Sequence, residues 1–93
     1  MIEVRCTSTG EPLAFEVVVA KGAGESRHQV TMARKAHEEL GGGHAAERVI
    51  EAAFAFLLDR EPKEAILPSF DVAVISRYFP EFEKELPGYL AKT

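Results

Sequence analysis

Tryptophan is absent from this chain and cysteine occurs once, at Cys6. No intramolecular disulfide is possible, and the fold must be held by packing and hydrogen bonds. A lone cysteine of this kind reads as a small buried hydrophobe in preference to a reactive thiol. A basic surplus is also missing: 11 Lys and Arg stand against 15 Asp and Glu, a net charge of -4. Because duplex binding depends on several basic groups neutralising phosphates, a broad nucleic-acid surface is not expected. No apolar run reaches the length of a bilayer span, so no membrane association is expected. Met1 is followed directly by alternating, strand-like sequence without the charged start and apolar stretch of a signal peptide, which predicts a cytoplasmic protein.

Cofactor and metal motifs are lacking as well. The glycines of KGAGE (residues 21–25) are spaced G-x-G, which matches neither a dinucleotide loop, nor a P-loop, nor the GxxG of a KH clamp. His37 and His44, with Glu38 or Cys6, could surround zinc in principle, but their spacing is that of no recognised zinc site, and no metal or cofactor is expected. A Ser-His-acid set could be drawn from Ser26 or Ser69, His28 and Asp71, yet no nucleophile elbow supports it, and no catalytic residue is assigned.

What is present is patterning. Ninety-three residues, 46% hydrophobic and 28% charged, suit one soluble domain spanning 1–93 with a single core. Ile2, Val4 and Cys6 alternate with Glu3, Arg5 and Thr7; Leu13, Phe15, Val17 and Val19 alternate with a more polar set; His28, Val30 and Met32 do so again. This period of two predicts strands over about 2–7, 13–20 and 26–31, joined as an antiparallel meander through turns at 8–12 and 21–25.

The rest reads as helix. Residues 33–40 form a short candidate that Thr31 could cap, ended by Gly41-Gly42-Gly43, which is either a hinge or a tight passage needing positive φ. Over about 44–60, Val49, Ile50, Ala53, Phe54, Phe56 and Leu57 gather on roughly one half of the helical wheel. Leu58 falls on the polar half. A last helix is predicted over about 69–86, with Ser69 as N-cap, a kink or break at Pro80, and termination at Pro87-Gly88. The whole is an α+β fold, a three-stranded meander packed against two or three C-terminal helices.

Function is less legible. Seven of the eight aromatic residues lie at or after Phe54, more than the inner face of a small sheet needs. That surplus, with Leu58, predicts a protein-interaction or regulatory module using a surface of Leu58, Arg77, Tyr78 and Phe82, toward a protein partner or a second copy. An alternative is a small-molecule or enzyme pocket bringing Arg27, His28 and Arg77 together. A third is weak nucleic-acid binding through Lys21, Arg27, Arg34 and Lys35.

Overall fold

The computed structural model describes residues 1–92. Alternating β-branched sequence forms β1 (Ile2–Ser8), β2 (Leu13–Ala20) and β3 (Glu25–Met32), paired antiparallel in that order. Register places Val4 opposite Val17 and Val17 opposite His28, so the apolar set of each strand shares one face. That inner face is buried on β2 and β3 and half-buried at Ile2, Val4 and Cys6 of β1, while the outer face carries the ion pair Arg5–Glu16 at 2.7 Å and the exposed Arg27, as the alternation predicts.

Helices follow on the inner side: α1 (Arg34–Leu40), α2 (Ala46–Leu58), a single 3-10 turn at Lys63–Ala65, α3 (Ala73–Tyr78) and α4 (Phe82–Ala91). Between α1 and α2 the glycine run is a tight passage. Gly42 and Gly43 take φ of 55° and 87°, and a Cβ on Gly41 would lie 2.5 Å from the His37 carbonyl oxygen.

The core is organised around α2, on two sides instead of one. Phe54 packs on His28 and Phe70, toward the sheet, with ring centroids 5.3 and 5.9 Å away. Phe56, about 200° further round the helix, meets Phe79, Phe82 and Tyr89 at 5.9, 5.0 and 5.8 Å. The helix is therefore sandwiched between sheet and C-terminal helices. Arg48 of α2 adds to the C-terminal cap of α4, donating to the carbonyls of Tyr89 at 2.9 Å, Leu90 at 3.3 Å, and Lys92. At the other end Arg60 stacks 3.6 Å over the Phe56 ring and bonds Glu81 at 3.0 Å.

The expected helix over 69–86 is corrected. Ser69–Asp71 is a fourth strand, β4, parallel to β3, with Gln29 N–H donating to the Pro68 carbonyl and Val72 N–H to that of Thr31. Ser69 caps nothing. Asp71, at the end of β4, accepts from the Ala73 N–H that opens α3 at 2.9 Å and from the Thr31 hydroxyl at 2.7 Å, and the N-cap of α1 is Ala33, not Thr31. The break near Pro80 occurs, but Pro87 and Gly88 do not end the last helix. Phe82, Leu86 and Leu90 recur every four residues and are all buried, which holds α4 together. Pro87 and Glu83 are both exposed, so the carbonyl that Pro87 leaves unbonded can face water.

Candidate functional site

Pro62 and Pro68 bracket a short segment that leaves α2, makes the 3-10 turn and delivers the chain to β4. Two side chains pin it. Lys63, only 6% exposed, places its ammonium 3.0 Å from the Ala23 carbonyl and 2.5 Å from Glu64, which offsets the cost of burying the charge. His28, 2% exposed, lies 2.7 Å through Nδ1 from the Leu67 carbonyl and 2.8 Å through Nε2 from the Ser26 hydroxyl. A carbonyl only accepts, so Nδ1 carries a proton and donates to Leu67, while Nε2 faces the Ser26 hydroxyl. His28 thus fixes a piece of wall, with both ring nitrogens occupied inside the chain.

Between that wall and α3 lies a groove of about 380 Å³. Its floor is Leu57, Ile66 and Ile75, all buried; Phe70, Val74 and Phe79 are half-buried along its sides. Leu67 and Tyr78, 45% and 69% exposed, stand at its rim. Glu61 is the one charged lining residue. Its carboxyl is raised above its ordinary value by burial; no ion pair among the described residues reaches it, and its oxygens keep contact with solvent. A second hollow of about 220 Å³ adjoins the groove, shares Glu61, and is lined by Leu58, Lys21 and Gly22.

The residues expected to form an interaction surface separate accordingly. Tyr78 lines the groove. Leu58 is half-buried in the adjoining hollow, so the polar half of the wheel meets the chain's own turn there. Arg77 is exposed on α3 and borders neither. Phe82 is corrected: it is fully buried against Phe56 and offers no surface. The alternative pocket is not assembled. Arg27 and His28 are neighbours on a strand and point to opposite faces, Arg27 exposed beside Glu25 at 3.6 Å and His28 buried. The four basic residues weighed for nucleic acid are spread out as well, since Lys21 precedes β3 and Arg34 and Lys35 follow it. The length of that strand, roughly 23 Å, lies between them.

Glu61, Leu67, Phe70 and Val74 escaped the sequence reading. The available signal was the Pro62–Pro68 bracket, which places two consecutive large hydrophobes, Ile66 and Leu67, where at most one can turn inward.

Chemically the groove offers apolar area, one anion and one phenol. No nucleophile is paired with a base in it. No group of three or more His, Cys, Asp or Glu side chains among the described residues is placed to hold a metal, and no helix among them is long and apolar enough to cross a membrane. Comparison with protein-family models, with curated proteins and with solved structures finds no match to this chain.

Proposed function

We propose that the chain is a small protein-interaction module, without catalytic activity of its own, whose docking surface is the groove between the Pro62–Pro68 segment and α3. One observation carries the reading. Of the three large hydrophobic side chains exposed among the described residues, Met1, Leu67 and Tyr78, two rim the same hollow. Single exposed hydrophobes need no explanation, but a tyrosine and a leucine over a preformed apolar floor have the composition of an interface hot spot. Cytoplasmic placement belongs to the same proposal, supported by an unpaired Cys6 in a chain without disulfides.

A small apolar ligand is the second reading, favoured by a groove volume of about 380 Å³, near the lower end of ordinary ligand sites. Peptide display on the immobilised chain separates the two. Selected peptides are expected to lose about 2 kcal/mol or more of binding on Tyr78→Asp or Leu67→Asp, with circular dichroism unchanged because both side chains are exposed. Failure to enrich any peptide sensitive to these substitutions would remove the protein-docking reading.

A further inference from the structure

Glu61 is the anomaly of the groove. Every other half-buried acid is engaged within the chain: Glu16 by Arg5, Glu51 by Arg48, Glu81 by Arg60, and Asp71 by Thr31 and the Ala73 N–H. Glu61 has no such partner among the described residues, and the nearest cations in sequence are committed elsewhere, Arg60 to Glu81 and Lys63 to Ala23 and Glu64. Lys21 borders the adjoining hollow without forming an ion pair with it. An all-apolar occupant would complete the desolvation of an unpaired carboxylate, so the groove discriminates in favour of a segment that brings a cation with its apolar anchor.

One segment with that chemistry is on the chain itself. At 100° per residue, Val74 and Tyr78 of α3 lie 40° apart on the groove side, and Arg77 stands 100° from Tyr78 on the outward crest, near the exposed and small Ala73. Arg77 has no ion pair among the described residues. A patch carrying a groove with an unpaired anion next to a ridge with an aromatic anchor and an unpaired cation is complementary to itself, which is the condition for an isologous contact.

Building on the groove as docking surface, we propose that its occupant is a second copy of this chain. In the resulting two-fold dimer α3 of each protomer seats in the groove of the other, with Tyr78 as the anchor and Arg77 opposite Glu61 of the partner subunit. The symmetry makes each ion pair occur twice.

Sedimentation velocity over roughly 1 µM to 1 mM, the range of a modest interface, is expected to show the wild-type chain passing from monomer to dimer. Arg77→Glu and Glu61→Arg should each weaken the dimer by about tenfold or more, and the double charge swap should return it to within about threefold of the wild type. Tyr78→Asp should abolish it at all concentrations. A chain that stays monomeric throughout, a dimer indifferent to both single swaps, or a double swap no better than either single one overturns the dimer. If the wild type is monomeric while displayed peptides still bind and still require Leu67 and Tyr78, the dimer alone fails and the groove remains a site for another protein. If peptides fail too, both fall.

Discussion

Glu61 and Glu81 bracket α3 from opposite electrostatic sides, and their stability contributions have opposite signs. Burial raises the Glu61 carboxyl. Above the ordinary glutamate range the folded state therefore holds more protons at this site than the unfolded chain, and stability falls as pH rises through that window. Glu61→Gln is expected to raise the melting temperature at neutral pH, with the gain shrinking in acid once the wild-type carboxyl is protonated in both states. Glu81 is held below its ordinary value by a backbone N–H and by Arg60. Its contribution is present at neutral pH and lost as pH falls through the lowered folded value, so Glu81→Gln should lower the melting temperature at pH 7 and leave it unchanged in strong acid. Melting curves recorded across pH distinguish the two. His28 combines packing against Phe54 with two hydrogen bonds, and His28→Ala should cost about 2–4 kcal/mol in denaturant unfolding. A histidine on the inner face was legible from its alternation with Val30 and Met32. Its bond to Leu67, 39 positions away, was not, because nothing local in either segment encodes it.

Among the elements, the three antiparallel strands could be read almost to the residue, since each repeats the period of two over seven or eight positions. Ser69–Asp71 could not: three residues hold too little periodicity to separate strand from helix start, and the parallel pairing with β3 is a tertiary event. Pro87 reads as a helix end by local chemistry, but the packed stripe of Phe82, Leu86 and Leu90 outweighs one lost backbone bond. The C-terminal end of α4 depends on a guanidinium from α2. Arg48→Ala should cost about 1–2 kcal/mol, and hydrogen exchange should quicken selectively over residues 88–91 while the sheet amides stay protected relative to global opening.

For the whole molecule, the aromatic surplus takes on a different meaning once α2 is buried on two sides. Phe54 and Phe56 face opposite ways and account for Phe70, Phe79, Phe82 and Tyr89 as contacts within the fold. Phe82→Ala should accordingly destabilise by about 3–5 kcal/mol, which is the behaviour of a core residue. What the core leaves uncovered includes an apolar groove with Tyr78 and Leu67 at its rim and Glu61 lining it. Burial of that groove was invisible in the one-dimensional pattern because its walls come from α2, the Pro62–Pro68 segment, β4 and α3 together. The opposite side of the molecule, the outer sheet face with Arg5, Glu16 and Arg27, is polar and internally paired. The most direct test of the groove as docking surface is amide chemical-shift mapping of the chain titrated with a peptide selected by display. Perturbations are expected to cluster at Glu61, Ile66, Leu67, Val74 and Tyr78; a cluster at Arg5, Glu16 and Arg27 on the outer sheet face would contradict the account.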